Sequence, residues 1–210
     1  MSEWVARRTG VAPTPPPAVR RSDRTVLDEA TRPSVPEPPP AVAFEPAVGS
    51  HLVQVHDHYR AELARVRQVL DQVRAGAASV GAARSELNAM TLRAGDWALG
   101  GVCQAQCVAL TQHHELESDA IFPHLRRAQP DLADVLDRLH AEHRAIHEVL
   151  QGVDAALVHL VTSGGDHGPI TRAVDLLTDT LESHFAYEER ELIAPLARHG
   201  MFPGQLRLPG

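Results

Sequence analysis

The sequence has few aromatic residues, only two cysteines and no long apolar run. Aromatic side chains make up 4% of the 210 residues, and Cys103 and Cys107 lie four apart on one predicted helix. Such a pair cannot form a disulfide framework. No apolar run reaches the roughly 20 residues that a membrane helix needs, and no apolar core follows the N-terminal arginines. We therefore expect neither a membrane span nor a signal peptide, and predict a cytoplasmic protein.

Basic residues are also in the minority. The 20 Lys and Arg residues face 27 Asp and Glu residues, for a formal net charge of −7. A nucleic-acid-binding domain carries a basic patch, so we expect no nucleic-acid partner and no membrane partner. Histidine is abundant instead: 12 of the 13 histidines follow residue 55. Neutral imidazole is the commonest metal ligand in proteins, so this composition favours a metal site.

The proline content divides the chain into regions. Ten of the 16 prolines lie in residues 1–46, which lack apolar periodicity. Such a segment favours extended, solvated backbone, and we predict a disordered or loosely draped tail that acts as a spacer or docks on a protein partner. Docking of this tail onto the folded domain is the alternative. Residues 47–198 are predicted to form the folded domain, and residues 199–210 a C-terminal tail.

From His51 onward, apolar residues recur at three- and four-residue steps, which indicates helices with one buried stripe. A short helical stretch is predicted over residues 79–92, and a long helix from Trp97 to Phe122, with Pro123 kinking or ending it. Two more long helices begin near Pro130 and Pro169. Long helices with short connections predict an all-α, up-down-up-down four-helix bundle.

Three pairs of metal-binding residues have four-residue spacing, which places both members about 40° apart on one helix face. The pairs are His113 and Glu117, His143 and His147, and His184 and Glu188. Each pair falls on or beside its helix's apolar stripe, and His56 flanks the stripe of the first helix. Buried carboxylates need charge compensation, which a metal supplies. Five imidazoles and two carboxylates suit two transition metals bridged by both carboxylates.

Other metal signatures fail or are absent. The zinc-protease pattern H-E-x-x-H starts at His114 but fails because residue 118 is serine. No glutamate is followed three residues later by histidine, as ferritin-type di-iron bundles require. His114 lies about 100° from His113, and His140 has no partner on its helix, so both are expected beside the ligands. Tyr59 is expected there too, with these histidines, as a proton donor.

Four segments over residues 51 to 198 resemble the hemerythrin-like (HHE cation-binding) family: HDHYRAEL, QHHELESDAIFP, RLHAEHRAIHEVL and HFAYEERELIAPL. The resemblance implies a four-helix bundle around a non-haem di-iron centre. One iron would take three imidazoles, the other would take two, and two carboxylates would bridge them. The implied sets are His143, His147 and His184; His56 and His113; and Glu117 and Glu188.

The resemblance also implies an open position on the second iron for O₂, nitric oxide or peroxide. Glu189 fits the spacing of the last carboxylate in the family's oxygen carriers. It lies about 140° from His184, however, so Glu188 is the preferred bridge and Glu189 an outer neighbour. Histidine-rich ligation favours reversible O₂ binding. The alternatives are an enzyme that degrades H₂O₂ or reduces nitric oxide, and an iron- or oxygen-responsive sensor that displays the tail.

Overall fold

The computed structural model describes residues 2–38, 43–74, 102–163 and 166–205. Within these ranges every regular element is helical and no strand occurs, which confirms the all-α prediction. The helices are α1 (Ser2–Thr9), α2 (Pro46–Arg74), α3 (Val102–Leu116), α4 (Phe122–Ala128), α5 (Ala133–Ser163) and α6 (Gly168–His199). The predicted helix over 79–92 and the predicted start at Trp97 lie outside the described residues. None of the described helices is long and apolar enough to cross a membrane.

Helix α6 is the centre of the packing. It lies against α1, α2 and α5, while α3 lies against α5. The buried apolar residues form two clusters, one containing Leu110, Ile146 and Leu181, and the other containing Leu139 and Leu192. On each of the three helices that carry these residues, buried histidine or glutamate lies between the two clusters. The fold therefore holds a polar layer inside an apolar bundle.

Pro123 was expected to kink or end the helix, and it does not end it. The chain stays helical to Ala128 through a π-helical turn at Glu117–Ile121. The Phe122 N–H donates to the carbonyl of Glu117, five residues earlier. Proline lacks an N–H and crowds the carbonyl four residues before it, and the wider turn accommodates it. Such π turns are frequent at functional sites, and this one begins at the buried Glu117.

The N-terminal region is not the disordered tail that its composition predicted. Residues 2–38, which we call the N-terminal strap, pack against the bundle, and Val5 is only 1% exposed. The backbone N–H groups of Arg21 and Ser22 both donate to Oδ2 of Asp179 at 2.8 Å. Extended backbone leaves its N–H groups free, and here carboxylates on α6 accept them. The composition of the strap could not reveal these acceptors, because they lie on a distant helix.

Candidate metal centre

The polar layer contains buried atoms that lack hydrogen-bond partners. These are Nε2 of five histidines and three carboxylate oxygens, contributed by His56, His113, His114, His143, His184, Glu117 and Glu188. Buried polar atoms in native proteins are almost always paired, and an ion is one reason why a group of them is not. This clustering inside one layer is the strongest sign of a ligand in the part of the chain that the structure describes.

The potential ligand atoms form three overlapping groups, in each of which all atoms lie within 4.8 Å of one another. The groups are His114, His143 and His184; His56, His113 and Glu117; and Glu117, His143 and Glu188. One group is all imidazole, and the other two share Glu117. The polar layer therefore contains several overlapping sets of ligand atoms that are suited to a cation.

The two carboxylates lie between the imidazole groups. Glu117 places Oε1 3.2 Å from Nε2 of His113 and Oε2 3.5 Å from Nε2 of His143. Oε2 of Glu188 lies 3.4 Å from Nε2 of both His56 and His184. Each carboxylate thus reaches a histidine of both imidazole groups, as a bridge between two metal ions would.

His147 does not join the cluster, contrary to the prediction. Its side chain is exposed, and its Nε2 lies 3.1 Å from Nε2 of Gln151. The buried face of α5 is centred near Ile146. At 100° per residue, His143 lies about 60° from Ile146 and His147 about 100° from it on the same side. The extra rotation carries His147 out of the core.

His114 takes part instead, although it was expected only beside the ligands. It is buried, and its ring stacks on that of His143 with centroids 4.0 Å apart and an interplanar angle of 8°. Its neighbour His113 faces the other imidazole group, with its ring 5.6 Å from that of His56. Two adjacent residues about 100° apart can serve two positions that lie side by side. The sequence-based prediction assumed a single metal-facing direction on the helix, so it did not allow both histidines to be ligands.

Outer partners hold three of the imidazoles by Nδ1. The Nδ1 atoms of His56, His143 and His184 pair with Glu189 Oε1 at 2.9 Å, Ser118 Oγ at 3.0 Å and Glu142 Oε2 at 3.1 Å. Such partners fix the orientation of a ligating ring, and here they leave Nε2 directed into the layer. The sequence pattern indicated Glu189 and missed Glu142. The only signal for Glu142 was a glutamate on the apolar face of α5, where it is 2% exposed.

The other residues expected beside the ligands lie in different places. His140 is exposed. Tyr59 is half-buried, with its ring 5.3 Å from that of His113, and its hydroxyl donates to the carbonyl of Ala109 at 3.2 Å. Phe185 is fully buried and stacks on His56 at 4.1 Å. Aromatic rings therefore cover the side of the layer that contains His56 and His113.

Burial keeps most of the imidazoles uncharged. It lowers the pKa of His113 to about 4 and the pKa values of His114 and His143 well below the ordinary range. For His184, burial also acts to lower the pKa, but a hydrogen bond to Glu142 and the negative charge of Glu188, 3.4 Å away, raise it to about 9. At neutral pH, three rings therefore offer a lone pair to a metal without first losing a proton.

The two carboxylates shift in opposite directions. Burial, together with the neighbouring Glu188, raises the pKa of Glu117 well above the ordinary range. Burial opposes ionisation of Glu188 as well, but the positive charge of His184 and His56, each with Nε2 3.4 Å from Oε2, holds its pKa well below that range. Protons on Glu117 and His184 thus supply positive charge that a bound cation would replace. Imidazole nitrogen with carboxylate oxygen is a donor set for transition metals such as iron, manganese or zinc.

A comparison with protein families gives one match. The family model described as the hemerythrin HHE cation binding domain matches residues 47–196. No curated protein and no solved structure gives a significant match to the chain. All seven polar-layer residues with unpaired ligand atoms lie inside the matched range, whereas the strap lies outside it.

Proposed function

Because this chain belongs to the hemerythrin HHE cation-binding family, we propose that it is a four-helix-bundle protein that holds two iron ions and binds O₂ or a related small oxidant. The observation that supports this best is the set of buried, unpaired imidazole and carboxylate atoms in the polar layer. Family membership accounts for a cation. The number and type of these donor atoms favour two transition-metal ions over one.

The geometry suggests how the residues divide between the ions. One ion would bind His114, His143 and His184, and the other would bind His56 and His113. Glu117 and Glu188 would bridge the two, since each carboxylate approaches an imidazole of both sets. The second set has one imidazole fewer, so we assign the open position to the ion beside His56 and His113.

Iron bound there would supply reversible redox chemistry and a coordination position for a small ligand. The protein's own contribution is a wall that excludes water around that position. Phe185 stacks on His56, and Tyr59 lies beside His113. Burial and the nearby Glu117 raise the pKa of Tyr59 to about 12, so its hydroxyl keeps its proton at physiological pH. These contacts favour the binding of a small apolar ligand.

Loading the metal-free protein with Fe(II) without oxygen, followed by exposure to air, tests this proposal. We expect a visible ligand-to-iron charge-transfer band that fades when oxygen is removed. A protein that stays colourless and retains zinc instead would contradict it.

Turnover of H₂O₂ or nitric oxide at the same centre is the second candidate, and it would need a proton donor near the open position. Tyr59 is the phenol beside His113, but it already donates its proton to Ala109 and has a raised pKa. His140 is exposed, and burial keeps His114 uncharged. These features favour binding over turnover. Rapid O₂ release from H₂O₂ by the iron-loaded protein would reverse this preference.

A further inference from the structure

One face of α6 contacts the N-terminal strap. Four of its residues recur at every fourth position and each forms a hydrogen bond to the strap: Asp179, Ser183, Tyr187 and Glu191. At four-residue spacing they form one stripe along the helix. Three of them are polar residues that are at most 6% exposed, so the strap satisfies groups that would otherwise be costly to bury. The strap is therefore part of the folded domain.

Arg32 of the strap reaches a residue that holds the metal centre. Its Nε and Nη2 donate to Oε1 and Oε2 of Glu142 at 2.8 and 2.9 Å, in a two-pronged contact. Oε2 of Glu142 also pairs with Nδ1 of His184 at 3.1 Å. The Arg32 side chain is 7% exposed and lies over the ring of Tyr187, with Cζ 4.7 Å from the centroid. A buried charge pair of this kind fixes the carboxylate, and through it the imidazole.

The two oxygens of Glu142 have different arginine partners. Arg138 on α5 donates to Oε1 at 3.0 Å, so Oε1 has a second cationic partner. Among the described residues, the arginine that donates to Oε2, the atom that pairs with His184, is Arg32 of the strap. Loss of Arg32 would therefore weaken the hold on the oxygen that orients His184.

Thr14 of the strap reaches the other half of the centre. Its backbone N–H donates to Oε2 of Glu189 at 2.7 Å. Oε1 of Glu189 pairs with Nδ1 of His56 at 2.9 Å and accepts from Nη2 of Arg60 at 2.8 Å. Glu189 is fully buried, so its orientation depends on these few partners. The strap therefore contacts the outer partner of one histidine in each of the two imidazole sets.

We propose that the N-terminal strap is a positioning element for the metal centre, with Arg32 acting on the ion bound by His184 and Thr14 N–H on the ion bound by His56. This inference rests on the proposed function, because it assumes that the centre holds two ions. It goes beyond family membership, since the family match begins at residue 47 and does not include the strap. Arg32 and Thr14 are positioning residues that touch no ligand atom themselves.

The test for Arg32 is an anaerobic Fe(II) titration of the full chain against a competing chelator, which measures the affinity for each ion. Loss of an outer partner costs roughly 10–100-fold in metal affinity, so we expect Arg32→Ala to weaken one ion by about tenfold. Arg32→Lys keeps the charge but not the two-pronged geometry and should recover part of the loss. Arg20→Ala is the matched control, because Arg20 lies in the same strap and its hydrogen bonds among the described residues go to the strap residues Thr25 and Glu29.

Thr14 provides an independent test on the other ion. Thr14→Pro removes the N–H donor at a position that already lies between Pro13 and Pro15. Thr14→Ala keeps the N–H and is the matched control. We expect Thr14→Pro to weaken by about tenfold the ion that Arg32→Ala leaves unchanged, and Thr14→Ala to have no effect. Should Arg32→Ala fail to fold, Arg32→Lys and Thr14→Pro still test the proposal.

The outcomes separate this inference from the proposed function. A wild-type protein that binds no iron, or one ion, contradicts the di-iron proposal itself. A wild-type protein that binds two ions, with both affinities unchanged in Arg32→Ala and Thr14→Pro, overturns the strap proposal alone. If the strap has only a structural role, Arg32→Ala and Thr14→Pro will lower the free energy of unfolding of the metal-free protein. Their two iron affinities will then equal those of Arg20→Ala and Thr14→Ala.

Discussion

The imidazole rings of His114 and His143 stack with their centroids 4.0 Å apart and their planes 8° from parallel. His114 belongs to the group formed by His114, His143 and His184, whereas the exposed His147 lies outside it. We predict that His114→Ala lowers the affinity for one iron by at least about 100-fold, the upper end of what the loss of an outer partner costs. His147→Ala is the matched control and should leave both affinities unchanged. Iron content after dialysis against a chelator measures the difference, and the reverse ranking would show that His147 is the ligand.

Ser118 fixes the ring of His143 by a hydrogen bond of 3.0 Å to Nδ1. We predict that Ser118→Ala frees this ring and weakens the same ion by roughly tenfold. Asp119→Ala serves as the control, because Asp119 is the next residue and its side chain is exposed. The chelator competition described for Arg32 measures both variants. Equal affinities in the two variants would show that Ser118 does not position His143 for metal binding.

Much of the fold could be predicted because apolar spacing is a local property. The stripes on α2, α5 and α6 predicted these long helices, and the family resemblance is confirmed. The strap could not be predicted, since prolines reveal extended backbone and say nothing about acceptors on a helix 150 residues away. The π turn could not be predicted for a similar reason. Proline marks a break in α-helical hydrogen bonding but does not show which wider turn accommodates that break.

The site was predictable as a set of donor types and less so as a set of residues. An ideal helix of 100° per residue placed His56, His113, His143, His184, Glu117 and Glu188 near the core, and the structure brings these six together. The same geometry placed His147 on the buried stripe, although it lies at the margin of that stripe. His114 was expected only beside the ligands, because it lies about 100° from His113 on an ideal helix, whereas the structure places both rings among the clustered ligand atoms.

Metal affinity should rise with pH. Without metal, raised pKa values keep protons on Glu117 and on His184, the latter with a pKa of about 9. A raised pKa means that the proton is held below that value, so a cation must displace it there and competes better as pH approaches 9. We expect binding at neutral pH to release about two protons per chain. Calorimetry in buffers of different ionisation enthalpy measures this release, and an affinity independent of pH from about 6 to about 9 would contradict it.

Removal of the metal should destabilise the fold. An ion that binds only the folded state adds about 2.7 kcal/mol when its free concentration is 100 times Kd. For a chain of this size we expect the melting temperature to fall by roughly 10 to 20 °C when both ions are chelated. Magnesium is the control, because it prefers oxygen ligands and should not restore the loss. Identical melting curves with and without iron would mean that the layer does not bind it.

We propose that two metal ions lie side by side in the polar layer, held by His56, His113, His114, His143, His184, Glu117 and Glu188. Anomalous diffraction at the iron edge from crystals of the iron-loaded protein locates the ions. We expect two neighbouring peaks per chain in the polar layer, with Glu117 and Glu188 between them and His114 in contact with one. A single peak, no peak, or a peak bound by His147 in place of His114 would contradict it.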